Sequence, residues 1–139
     1  MTSDLAAVLR SRGHKVTPQR LAIYEMLAGT KAHPSVEIIY ETLKERFPAM
    51  SLATVYKNLQ ALMESGLVQQ LSVNQPFFRY DADVDPHGHL VCLGCGRVDD
   101  LEDRSIIDAV TERCLDVPGF EVRHPAISVF GYCSECRGR

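Results

Sequence analysis

From residue 4 to residue 63, apolar positions recur at intervals of three or four, the spacing of helices that bury one face. Residues 4–12 set Leu5, Val8 and Leu9 on one side, and Gly13 ends the run. Thr17-Pro18 predicts an N-cap followed by a proline in the first turn. The helix beyond it is expected to turn Leu21, Tyr24, Leu27 and Ala28 inward and to stop near Gly29. Ser35 predicts the cap of a third helix, with Val36, Ile39, Tyr40 and Leu43 inward and an end by Phe47-Pro48. Ser51 predicts the cap of a fourth, whose stripe is Leu52, Val55, Leu59, Leu62 and Met63 and whose terminator is Gly66.

Beyond Gly66 the helical pattern gives way to short runs of strand character. Two strands are expected, Leu67–Val73 and Phe77–Tyr80, around a turn at Asn74-Gln75-Pro76. Packed helices followed by a hairpin are the order of a winged helix-turn-helix. Residues 81–86 are acidic and end in proline, which predicts a hinge. Beyond it, His89–Cys92 and Arg97–Leu101 predict strands, and residues 104–116 predict a helix with Ile106, Ile107, Val110 and Cys114 inward. Phe120–His124 and Ile127–Tyr132 predict two more strands. The expected organisation is therefore α+β, with a winged-helix domain at 1–80, the hinge, and a small α+β domain at 87–139. A core that small generally needs a metal or a partner subunit.

Net charge is −3 over 139 residues, which argues against a uniformly basic nucleic-acid binder. Its distribution reverses that impression. Residues 1–80 carry nine Lys/Arg against six Asp/Glu, whereas residues 81–139 carry six against twelve. A basic first half suits a polyanion-binding module joined to something else. No segment approaches the ~20 apolar residues of a membrane span and no cleavable leader is evident, so a soluble, cytoplasmic protein is expected.

Chemistry enters most clearly with Cys92-x-x-Cys95 and Cys133-x-x-Cys136. Four thiolates from two turns can close a tetrahedral Zn²⁺ site with no open position, which is a structural site. The fifth cysteine, Cys114, falls on an apolar helix face and is expected in the core. His87-Gly-His89 is the second constellation. In a strand, residues two apart share a face, so both imidazoles can reach one ion. Asp81 and the pair Asp99-Asp100 lie nearby in sequence, and such nitrogen and oxygen donors suit Fe²⁺, Mn²⁺ or Zn²⁺. The third constellation is the polar face of the fourth helix. Thr54, Tyr56, Lys57 and Asn58 offer a hydroxyl, a phenol, a cation and an amide to DNA, and Arg79 in the hairpin is placed for a phosphate.

Taken together, Gly13-His-Lys-Val-Thr-Pro-Gln-Arg20, His33-Pro34, Ser51-Leu-Ala-Thr-Val-Tyr-Lys-Asn-Leu59, Gly66-Leu-Val68, His87-Gly-His89 and both cysteine pairs resemble the ferric uptake regulator superfamily across essentially the whole chain. The resemblance implies a homodimer of winged helices on a palindromic double-stranded operator, with the second domain serving dimerisation. It implies a regulatory metal, Fe²⁺ or Mn²⁺, held by His33, Asp81, His87, His89 and Asp100, which sets the posture of the DNA-binding domains. An aspartate as the last ligand resembles the peroxide-sensing branch (PerR), in which Fe²⁺-dependent oxidation of ligand histidines releases the metal. By position those histidines are His33 and His87. Iron- or zinc-uptake control in the same superfamily is the alternative, and Asp99 replaces Asp100 if the register shifts by one. On DNA, the resemblance assigns Tyr56 to bases, Lys15 to the minor groove, and Arg20, Lys57 and Arg79 to phosphates, with Ser51 and Thr54 at the start of the reading helix.

Two readings from other classes compete. A small metalloenzyme could use His87, His89 and a carboxylate, but it leaves the helix face unexplained, and no general base adjoins the histidines. A zinc-stabilised adaptor that binds only protein would lack salt-dependent affinity for duplex DNA.

Overall fold

The computed structural model describes residues 2–73 and 75–138, the side chains of Thr2 and Ser3 excepted. The chain divides into two compact units, residues 1–84 and 85–139.

The first unit runs α1 (Thr2–Ser11), α2 (Pro18–Ala28), α3 (Val36–Leu43), α4 (Leu52–Glu64), β1 (Gln69–Ser72) and β2 (Phe78–Asp81). Its caps follow from residue chemistry. Thr17, Ser35 and Ser51 sit in extended backbone, and their hydroxyls accept the N–H of Arg20, Ile38 and Thr54. Gly66 leaves α4 at φ +71°, a conformation that glycine adopts without a Cβ penalty. The core joins Leu5 and Leu9 of α1 to Ile23, Leu27, Ile39, Val55, Leu59 and Leu62, with Tyr80 of β2 closing it. The hairpin pairs antiparallel, Gln69 opposite Asp81 and Leu71 opposite Arg79. Of its expected turn, Asn74 lies outside the described residues.

The inward face of α2 differs from the expectation. Ala22, Ile23 and Leu27 are buried, Leu21 and Tyr24 are only half-buried, and Ala28 is exposed. This helix is apolar on nearly every side, so periodicity alone does not select the buried face. In α3, Val36, Ile39 and Leu43 are buried as expected and Tyr40 is half-buried. Along α4, Leu52 is exposed, Met63 half-buried, and Asn58 is buried in their stead. Asp81, expected in the hinge, is instead the buried last residue of β2.

The second unit contains β3 (Gly88–Cys92), β4 (Val98–Leu101), α5 (Ser105–Leu115) and β5 (Ile127–Gly131), with strand order β4-β3-β5. β3 is antiparallel to β4 and parallel to β5. A parallel neighbour requires a crossover, and α5 lies within it. The expected strand at Phe120–His124 is not formed; those residues carry no assigned strand or helix. On α5 only Ile107 is buried, while Ile106 and Val110 are 43% and 41% exposed and Cys114 is half-buried. Among the described residues, the buried hydrophobic set of this unit is Val91, Cys92, Val98 and Ile107. No helix of the described residues is long and apolar enough to cross a membrane.

Candidate metal centres and nucleic-acid face

The cysteine pairs meet because β3 and β5 are neighbours. Cys92 ends β3 and sits opposite Gly131 of β5, two residues before Cys133. Both pairs then turn tightly. Gly96, at φ +78°, returns its N–H to the Cys92 carbonyl (3.0 Å), and the N–H of Cys136 reaches the Cys133 carbonyl (3.0 Å). The four sulfurs all lie within 4.8 Å of one another, and Cys95 Sγ is 3.9 Å from Cys133 Sγ. A tetrahedron with Zn–S bonds of ~2.3 Å places its sulfurs ~3.8 Å apart, so this cluster fits a zinc site. The backbone already favours a thiolate there. The N–H of Cys133, 3.3 Å from Cys92 Sγ, and those of Cys95 and Gly94 pull the Cys92 thiol down to about 6. Hydrogen bonds from its thiol to Cys133 and then Cys92 push Cys136 up to about 12. Gly94 is a requirement that the sequence reading did not single out. A Cβ there would stand 2.8 Å from Cys136 Cβ and 2.9 Å from its sulfur. The Cys-Leu-Gly-Cys-Gly turn was the only available signal.

The histidine constellations are built separately in the two units. In the second, the antiparallel register places His89 directly across from Asp100. His87 precedes it by two residues, and its ring centroid is 4.5 Å from that of His89. Asp100 Oδ1 is 3.3 Å from His87 Nε2 and 3.5 Å from His89 Nε2. Both histidines are buried. His87 Nδ1 is 2.6 Å from the Asp85 carbonyl, to which it donates; the bond orients the ring and turns the lone pair of Nε2, the atom that would ligate a metal, to the side of Asp100. Arg104, also unremarked in the sequence reading, donates to the carbonyls of Asp85 and Pro86 and holds the segment entering His87. Asp99 belongs to the other face. It is opposite Leu90, and Arg97 Nε engages its carboxylate at 2.7 Å. The register therefore favours Asp100 over Asp99. His124 is exposed.

In the first unit, His33 Nε2 lies 3.2 Å from Asp81 Oδ2, with both residues buried. His33 is the one described non-glycine residue at positive φ, +52°. A left-handed residue without a glycine costs roughly 1–3 kcal/mol and persists only where its surroundings fix it. Bonds of ~2.1 Å to nitrogen and oxygen put neighbouring ligand atoms ~3.0–3.4 Å apart, so each unit holds donors at spacings that suit a cation.

The polar residues expected on DNA separate into two groups. Lys15, Ser51, Lys57 and Tyr56 are exposed, Tyr56 at 48%, and Thr54 is partly so, its hydroxyl bonded to that of Ser51 at 2.9 Å. Arg20 and Asn58 correct the expectation. Both are buried, and Arg20 donates from Nε to Asn58 Oδ1 (3.0 Å) and from Nη1 to the Lys15 carbonyl (2.7 Å). They tie α2 to α4 and brace Lys15. Arg79 also points inward. Its Nε donates to the His33 carbonyl and its Nη2 to the Ala32 carbonyl at 2.7 Å.

The model of the Ferric uptake regulator family matches residues 11–130. The chain belongs to this family. Among curated members it is 40% identical to the peroxide operon regulator of Bacillus subtilis over 92% of this chain and 88% of that one. It is 34% identical to the peroxide-responsive repressor PerR of Staphylococcus epidermidis over 94% and 87%. Among solved family structures, the Campylobacter jejuni peroxide stress regulator is 34% identical and superposes with a TM-score of 0.76, covering 86% of this chain and 89% of that one. The Vibrio cholerae ferric uptake regulator is 28% identical, with a TM-score of 0.73 over 92% and 98%. Cys92 and Cys95, the His87-x-His89 motif and the start of α4 fall inside the family's matched span, and Cys133 and Cys136 lie just beyond it.

Proposed function

We propose that this chain is a metal-dependent, DNA-binding transcriptional repressor that responds to peroxide. The observation that carries the reading is the built His89–Asp100 pair with His87 beside it, in a chain whose curated relatives are named peroxide regulators. A structural Zn²⁺ on Cys92, Cys95, Cys133 and Cys136 closes the second unit. The regulatory ion takes His87, His89 and Asp100 from that unit and His33 and Asp81 from the first. Neither unit supplies five donors alone, so an ion bound by both biases their relative posture and shifts the population that fits the operator. Nitrogen and oxygen donors suit Fe²⁺ or Mn²⁺.

The protein's own groups then do three things. Asp85 and Arg104 orient His87; Asp100 receives the two imidazoles on one carboxylate; and His33 joins the ion to the DNA-binding unit. Ferrous iron, if held by these donors, would supply the one-electron chemistry that opens the peroxide O–O bond; overall the imidazole of His33 or His87 would give up the two electrons, one oxygen inserting into a ring C–H bond while the other leaves as water. An imidazole so oxidised is a poorer donor, and occupancy falls. Relatives are named as regulators, which supports binding rather than turnover as the role of the site.

The test loads the protein anaerobically with Fe²⁺ or with Mn²⁺ and adds a low dose of peroxide. Operator affinity of the Fe²⁺ form is expected to fall while His33 or His87 gains the mass of one oxygen; the Mn²⁺ form is expected to keep both. Unmodified histidines with unchanged DNA binding in the Fe²⁺ form sink peroxide sensing and leave iron- or zinc-uptake control as the reading.

The protein is expected to act as a homodimer through the second unit, on a palindromic duplex. Leu90 and Val129, partners across β3 and β5, are 40% and 47% exposed together on one face of the sheet. Such a surface marks an interaction site. On DNA, Tyr56, Lys57, Thr54, Ser51 and Lys15 form the contact set. Tyr56→Ala is expected to leave metal content and dimer intact and to cost ~1–3 kcal/mol of discrimination between operator and scrambled duplex, measured by competition binding.

A further inference from the structure

Arg79 sits in the winged hairpin, where a cation is ordinarily read as a phosphate contact. Its observed partners belong elsewhere. Along β2, Arg79 and Asp81 share one face and Tyr80 the other, as strand alternation requires. Tyr80 fills the core, and its backbone N–H donates to the Pro34 carbonyl at 3.1 Å. The Arg79 guanidinium donates from two nitrogens to the consecutive carbonyls of His33 and Ala32. Three donors from two adjacent residues of β2 thus grip the carbonyls of residues 32, 33 and 34. The gripped segment contains the strained His33, whose imidazole meets Asp81 two residues along the same strand. Hydrogen bonds from a fixed planar fork specify the orientation of a backbone segment as a single ammonium does not.

We propose that Arg79 is a positioning residue for the metal ligand His33, holding its loop in the left-handed conformation that aims the imidazole at Asp81, rather than a contact to DNA phosphate. This rests on the reading of His33 as a ligand given above. The second unit repeats the device, with Arg104 on the carbonyls that precede His87. In each case an arginine fixes backbone beside a histidine instead of touching the ion.

The experiment uses full-length, zinc-loaded protein titrated with Co²⁺, whose ligand-field absorption reports binding at the nitrogen and oxygen site. Arg79→Gln, Arg79→Lys and His33→Ala are compared with the wild type, and amide hydrogen exchange at Ala32, His33 and Ser35 is followed without Co²⁺. Arg79→Gln is expected to weaken Co²⁺ binding ~10–100-fold, the range for residues that orient ligands, and to speed exchange at those amides. Arg79→Lys, which keeps the charge but not the fork, is expected to fall between. Zinc content stays at the wild-type value in each. If Arg79→Gln and Arg79→Lys bind Co²⁺ like the wild type while His33→Ala does not, the positioning role is wrong and the ligand reading survives. Should His33→Ala also bind like the wild type, both fall. A lowered salt slope of DNA binding with Co²⁺ affinity intact assigns Arg79 to phosphate and overturns the proposal.

Discussion

Cys92→Ser is expected to abolish zinc retention and unfold the second unit while the first stays folded. The reason is the size of that unit's core. Val91, Cys92, Val98 and Ile107 are its buried hydrophobic residues among those described, and Cys92 is itself a member of the metal cluster. Structural zinc sites contribute apparent binding energies of roughly 10–16 kcal/mol, well above what so few buried side chains supply. A serine hydroxyl cannot replace a thiolate ligand, and Cys92 is the sulfur that the backbone N–H of Cys133 most favours as an anion. The cluster also joins the end of β3 to the segment after β5, so its loss frees both. Limited proteolysis with mass mapping, alongside metal analysis, reads the result: cuts confined to residues beyond 84 and near-zero zinc. Cys114→Ser is the control, because Cys114 lies on α5 outside the cluster. One zinc per chain and wild-type protease resistance in Cys92→Ser would show that the cluster is dispensable.

The thiols of the cluster differ in their response to pH. Cys92 is held below its ordinary value of 9.0, at about 6. Its contribution to stability is therefore present above pH 9 and fades as pH falls through 6. Cys136 has the opposite sign, since its thiol is favoured up to about 12 and its contribution is lost as pH rises toward that value. A zinc ion in this cluster would resolve the opposition by accepting all four as thiolates.

The caps were legible because each is local. Thr17, Ser35 and Ser51 need only a hydroxyl and the three residues that follow, and Gly66 needs only its missing Cβ. The cysteine pairs were legible by spacing, and the register of β3 with β4 then distinguished Asp100 from Asp99, which sequence proximity could not. What escaped depends on depth and on neighbours. The α2 stripe was misassigned because apolar residues surround the helix. Ile106 and Val110 follow a correct helical period, but of the apolar residues on α5 only Ile107 is buried. Phe120–His124 alternates like a strand yet has no ladder assigned to it. Arg20, Asn58 and Arg79 were read as outward because charged and amide groups usually are. The burial of Arg20 and Asn58 is tolerated because each finds a fixed partner inside, and the half-buried Arg79 is turned from solvent by the backbone carbonyls it bonds.

His89→Ala is expected to keep zinc, fold and dimer, and to lose metal-dependent operator binding. His89 lies opposite Asp100 at the centre of the proposed regulatory site, and its removal leaves four of five donors. Loss of a donor should exceed the ~10–100-fold effect of losing a residue that merely orients one. The consequence for DNA follows by linkage. With metal at ~100 times the wild-type dissociation constant, binding stabilises the competent arrangement by at most ~2.7 kcal/mol. A ~100-fold weaker site at the same concentration gives ~0.4 kcal/mol, too little to hold a population that repression needs. Operator affinity measured against Mn²⁺ concentration should therefore shift to much higher metal in His89→Ala, while affinity in the presence of chelator matches the wild type. The chelator arm separates the switch from the reading head, because Tyr56 and Lys57 on α4 are untouched. If His89→Ala binds operator at wild-type Mn²⁺ concentrations, the ion that governs DNA binding is not held by the His87/His89/Asp100 constellation.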